Sequence, residues 1–115
     1  MRLFLYGTLL DPAVLARRGG DPELRASGIA ASLTGWTRVG IGCLPWPTLR
    51  RARGGVVRGV VVEADAAALR RLAAYEGPAY RLTRVVATTP TGKTAAWTWI
   101  APGGTHRRWD ARWKG

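Results

Sequence analysis

The sequence predicts one small α+β domain, on three observations. A chain of 115 residues is long enough for a single hydrophobic core and too short for two. Residues 56–63 (VVRGVVVE) form an unbroken strand pattern, followed at once by a capped helical pattern over residues 66–76. Residues 80–100 then read as two strands joined through Pro90-Thr91-Gly92-Lys93, a hairpin.

Taken in order, residues 2–6 alternate weakly and predict a short buried strand. Asp11 stands as an N-cap and Pro12 at the first helical position, where a missing N–H does no harm; this predicts a helix through residue 18, ended by Gly19-Gly20. Between them, Tyr6-Gly7-Thr8-Leu9 leaves a strand and enters a helix, so its backbone N–H groups lack ladder and helix partners and can hold an anion. Residues 28–48 predict a strand and then an irregular loop, because the prolines of Leu44-Pro45-Trp46-Pro47 cannot donate to a central ladder. Arg50-Arg51-Ala52-Arg53-Gly54-Gly55 reads as a basic turn leading into the strand 56–63, which is expected to lie centrally.

Asp65 caps the helix 66–76, on which Leu69, Leu72, Ala73 and Glu76 fall at i, i+3, i+4 and i+7 and predict one face. Three of the four are apolar, so a core-facing stripe ends in a carboxylate, and that is costly unless the charge is paired or sits in a cavity. This marks Glu76; its structural alternatives are a side chain at the helix end that reaches solvent, or an ion pair with Arg81 or Arg84. Gly77-Pro78 stops the helix, and in the hairpin that follows Trp97 and Trp99 share a face. In residues 105–115, Trp109 and Trp113 are four apart and predict a helical apolar strip beside Arg108 and Arg112. The whole chain, 1–115, is expected to be one domain, with residues 103–115 a basic, tryptophan-containing tail.

Composition narrows the chemistry. Eighteen Lys and Arg against seven Asp and Glu give a net charge of +11, which draws phosphates, nucleic acid or acidic substrates. The arginine clusters at 50–53 and 107–112 read either as a solvated basic surface or as a nucleic-acid surface. Abundant arginine, alanine and glycine together are also what a genome rich in G and C produces. No apolar run approaches the ~20 residues that span a bilayer, and the opening apolar run is cut off by Gly7-Thr8, too short for a signal peptide. One cysteine, Cys43, excludes an internal disulfide, and one histidine, His106, argues against a zinc site, so a reducing, cytoplasmic setting is expected. Gly92-Lys93-Thr94 ends like a phosphate loop, but Ala87 stands where the first glycine belongs, and the segment joins two strands.

The run LFLYGTLLDP resembles the YGTL signature that opens γ-glutamylcyclotransferase-like (avirulence-induced-gene-like) proteins, and the resemblance continues in order. Trp46-Pro47-Thr48-Leu49 is similar to the family's aromatic-proline loop, residues 57–62 to its glycine-containing strand, residues 68–77 to its helix ending in tyrosine, glutamate and glycine, and residues 80–85 to the strand after it. The resemblance implies a small mixed β-barrel flanked by short helices. It also implies an enzyme that closes a γ-glutamyl amine or amide on itself to give 5-oxoproline and a free amine, with no metal or other cofactor. Carried over, Glu76 is the general acid/base, the N–H groups of Gly7, Thr8 and Leu9 cradle the carboxylate or oxyanion, and Tyr6 and Tyr80 contact the substrate. Two positions depart from the pattern: Ala73 stands where relatives often carry aspartate, and no tyrosine follows Tyr80. A binding module using the same pocket without turnover stays open beside the enzyme. The released amine and the oligomeric state are not set by the sequence.

Overall fold

The computed structural model describes residues 1–41, 47–101 and 106–108, and for Thr8, Ile41 and residues 106–108 the backbone alone. Strand β1 (Arg2–Leu5) opens the chain, a 3₁₀ turn (Thr8–Leu10) follows, and helix α1 (Pro12–Gly19) begins where Asp11 Oδ1 accepts the Ala13 N–H at 2.9 Å. The remaining elements are β2 (Ile29–Ile41), β3 (Pro47–Glu63), α2 (Ala66–Glu76), β4 (Arg81–Thr89), β5 (Gly92–Ile100) and β6 (His106–Arg108). No helix among the described residues is long and apolar enough to cross a membrane.

Five strands close into a mixed barrel in the order β3, β1, β5, β4, β2 and back to β3, and β6 adds to β2. Among the described residues only the β1–β5 neighbours run parallel, at Leu3 and Trp97; the other pairings are antiparallel. Strand β3 is central, with β1 along one side and β2 along the other.

The apolar opening of the chain follows from its position. Phe4 and Tyr6 point into a core that all five barrel strands share, with Leu33, Leu49, Val57, Val61, Val85 and Ile100 among its members. Leu3 and Leu5, on the opposite face of β1, join Leu15, Leu24, Val62, Leu72 and Trp99 in a second core between the barrel wall and the helices. A strand buried on both faces reads as a continuous apolar run, as residues 3–6 do. Gly59 lets β1 and β3 approach: a Cβ there would stand 2.1 Å from the Leu5 carbonyl oxygen.

Three expectations change. Residues 50–55 are not a turn but part of β3, whose extra residues bulge against β2 between the Thr34–Val56 and Trp36–Arg51 pairs. Gly35 and Gly54, both at positive φ (87° and 76°), take up that bulge. The buried face of α2 is Ala68 and Leu72, with Leu69, Tyr75 and Glu76 half-buried at its sides, while Ala73 is exposed. Residues 106–108, expected to begin a helical strip, instead form β6. Cys43, Trp46, Trp109 and Trp113 lie outside the described residues. The hairpin at Pro90 is as expected, with β4 and β5 paired from Arg81–Ile100 to Thr89–Gly92, which removes the phosphate-loop reading of that segment.

Candidate active site

Where β1 gives way to the 3₁₀ turn, the chain meets the C-terminal end of α2 and the far end of β5. A cavity of about 160 Å³ opens there, walled by Phe4, Leu5, Tyr6, Gly7, Leu9, Pro47, Tyr75, Glu76, Tyr80, Thr98 and Trp99. It is smaller than the ~300–1,000 Å³ usual for drug-sized ligands and suits one amino-acid-sized group.

Each wall is held by a local cause. Asp65 Oδ1 accepts the Ala68 N–H at 2.8 Å and starts α2; Gly77, whose N–H bonds back to the Ala73 carbonyl at 3.1 Å, ends it one residue past Glu76. Leu10 N–H closes the 3₁₀ turn on the Gly7 carbonyl at 2.9 Å, and the amides ahead of it at the start of the turn have no partner within it. Tyr6 donates its hydroxyl proton to the Trp99 carbonyl, tying β1 to β5. Tyr80 donates to the Pro47 carbonyl at 2.9 Å, and Thr98, fully buried, to the Phe4 carbonyl at 2.8 Å. Both tyrosine protons are therefore committed to backbone, and Thr48 hydrogen-bonds the Tyr6 hydroxyl as well, which leaves the ring faces and the Tyr80 hydroxyl oxygen for a ligand.

The electrostatics single out one group. Burial pushes the Glu76 carboxyl up from 4.5 to about 7. Among the described residues Glu76 is the only acid that lines the cavity, no lysine or arginine lines it, and no cation lies within ion-pair distance of the carboxylate. Of the expected alternatives, the pair with Arg81 or Arg84 is not formed, and the side chain is half-buried rather than extended into solvent. Burial, with Glu76 adding, drives Tyr80 up to about 12. Burial raises Tyr6 still further, with Tyr80 and Glu76 adding and Thr48 and Arg38 opposing, so both phenols stay neutral. A lone carboxylate in a part-desolvated cavity accepts a proton from an ammonium group and can return it at neutral pH.

The structure thus brings Tyr6, Gly7, Leu9, Glu76 and Tyr80 to one cavity, with Thr8 opening the turn beside them. Sequence reasoning did not single out Thr98, Trp99 or Tyr75 for this site. The shared face of Trp97 and Trp99 was visible, but nothing local says that Trp99 presents its carbonyl to a tyrosine 93 positions away. Arg38, half-buried on β2, was also missed; it donates to the Arg58 carbonyl at 2.8 Å, and its Nε has no hydrogen-bond partner among the described residues.

The family model described as gamma-glutamyl cyclotransferase, AIG2-like, matches residues 3–114. The chain belongs to that family. Among solved structures, an Arabidopsis thaliana protein is similar at 26% identity, covering 99% of this chain and 67% of that one, with a TM-score of 0.76. A second Arabidopsis thaliana protein matches at 24% identity over 99% of this chain and 74% of its own, TM-score 0.75. A structure described as gamma-glutamyl cyclotransferase matches at 17% identity over 92% of this chain and 69% of that chain, TM-score 0.74, a likeness of fold. A search of curated proteins returned no match. Membership in this cyclotransferase family assigns the barrel-and-helix fold and indicates cyclotransferase-like chemistry on small γ-glutamyl compounds.

Proposed function

We propose that the protein converts a γ-glutamyl amine or amide to 5-oxoproline and a free amine, with Glu76 moving both protons. The observation that carries this reading is a carboxylate with no ion-pair partner among the described residues, held at about 7 in a cavity of amino-acid size. The substrate's α-ammonium is placed against Glu76, which takes one proton. The freed nitrogen attacks the γ-carbonyl carbon, a C–N bond closes the five-membered ring, and charge develops on the carbonyl oxygen. Amides at Gly7 and the start of the 3₁₀ turn stabilise that oxygen or hold the substrate carboxylate. The bond to the leaving nitrogen then breaks as Glu76 returns its proton there, and the carboxylate so freed takes the second proton from the ring nitrogen and passes it to the departing amine, which leaves as an ammonium.

Because nucleophile and electrophile belong to one molecule, the protein's task is orientation more than activation. The rings of Tyr6, Tyr80 and Trp99 confine the glutamyl part, and their fixed hydrogen bonds keep the cavity's shape. The leaving amine projects through the mouth, where the cavity sets less of its identity. The departure at Ala73 does not favour a binding-only pocket: that side chain is exposed and lines no part of the cavity, so its methyl leaves no gap in the wall.

The test is mass-spectrometric detection of 5-oxoproline after incubation with γ-glutamyl amino acids, γ-glutamyl-lysine and glutathione. Product from at least one substrate is expected. Saturable binding of a γ-glutamyl compound with no product would replace turnover by recognition alone.

A further inference from the structure

The charge of this chain is divided along it. Residues 1–28 and 63–76, which supply β1, the helices and the last residue of β3, hold six arginines and six acidic residues and are electroneutral. Residues 29–62 and 77–109, which supply β2, β4, β5, β6 and the rest of β3, hold nine arginines and one lysine and no acidic residue. A compositional bias toward arginine does not explain this division, since arginine is as frequent beside the acids of the helical part.

The fold gathers the unopposed cations on the barrel's outer wall. Ser32 of β2 pairs with Arg58 of β3 on one side and Thr88 of β4 on the other, and Thr88 pairs with Lys93 of β5. These four form one row across four strands, roughly 14 Å at the usual strand spacing. Their neighbours Leu33, Val57 and Ala87 face the barrel core, so the row faces outward. Arg84 stands on the same face of β4. Arg50, Arg51, Arg53, Arg58, Arg81, Arg84 and Lys93 are all exposed, and among the described residues none pairs with a carboxylate. The helices cover a different part of the wall, that of Leu3, Leu5, Val62 and Trp99.

We infer that this outer wall of β2–β5 is a docking surface for the phosphodiester backbone of a nucleic acid. The planar guanidinium binds phosphate through two parallel hydrogen bonds, and arginine outnumbers lysine nine to one in these segments. An anionic membrane is the less suitable partner, because among the described residues the exposed large apolar ones, Met1, Ile29, Val56 and Val86, include no aromatic or leucine to enter lipid. The inference does not rest on the cyclotransferase reading and uses no residue of the cavity.

The test measures fluorescence anisotropy of labelled single- and double-stranded oligonucleotides with the full chain from about 50 to 200 mM salt. Binding is expected, weakening with a log–log slope of about −2 to −4 as ~3–5 phosphate contacts are screened. Arg58→Gln/Arg84→Gln is expected to weaken it by about tenfold, and Arg17→Gln/Arg70→Gln, the same charge loss on the helical side, by less than ~2-fold. Glu76→Gln should leave it unchanged. No binding at about 50 mM salt would overturn the proposal, as would equal losses in the two double variants, which mark general attraction only. Preference for phosphatidylserine vesicles over both oligonucleotides would overturn it in favour of a membrane.

Discussion

Glu76 bears a protonation equilibrium that links the site to stability. Its folded value of about 7 lies above the unfolded value near 4.5, so the native state holds the proton more tightly. Its effect is therefore neutral below the unfolded value; stability falls as pH rises from there through about 7, and the full penalty stands above that, on the order of 3 kcal/mol before solvent screening of this half-buried group. Glu76→Gln should be the more stable protein at about pH 8 and lose that advantage toward about pH 5. Denaturant titrations at both pH values check this, and a difference independent of pH would contradict it. Tyr6→Phe removes the donor from the Trp99 carbonyl and should cost about 1–3 kcal/mol, read from the same curves.

Among the elements, Gly59 is the most constrained contact between strands. Gly59→Ala places a methyl against the Leu5 carbonyl and the Phe4 ring, so β1 and β3 must separate, and a loss of at least ~2 kcal/mol is expected in thermal or denaturant unfolding. Asp65→Ala should cost about 1 kcal/mol by freeing the Ala68 N–H. Helix α2 was legible to the residue because a cap, a capped run and Gly77-Pro78 are all local signals. Its buried face was not: alanines at 67, 68, 73 and 74 give no direction, and the choice falls to packing against the barrel and α1. Residues 50–55 misled for a related reason. Arginine and glycine signal a turn locally, but pairing with β2 across the bulge holds them in the strand.

Across the whole molecule, the order of elements as far as β5 and a pocket between residues 6–9 and Glu76 could be read from the sequence, while the rest of the cavity, with Tyr75, Thr98 and Trp99 among its walls, could not. It exists only because barrel closure brings β1, the end of α2 and β5 together, through contacts such as Tyr6 with Trp99 and Tyr80 with Pro47. The net charge of +11 acts at this scale as well: like charges on the barrel wall repel in the folded state. Melting temperature should rise between about 20 and 300 mM salt as these charges are screened, and a fall would indicate that ion pairs dominate instead. The proposed function gives Glu76 the proton transfers of a cyclotransferase. The most direct measurement is the rate of 5-oxoproline formation by the parent protein and by Glu76→Gln from about pH 5 to 9, with circular dichroism confirming that both are folded. The parent's rate should climb with pH to a plateau above about 7, where the variant is slower by at least ~100-fold; equal rates on the plateau, or a parent profile flat through 7, would contradict the reading.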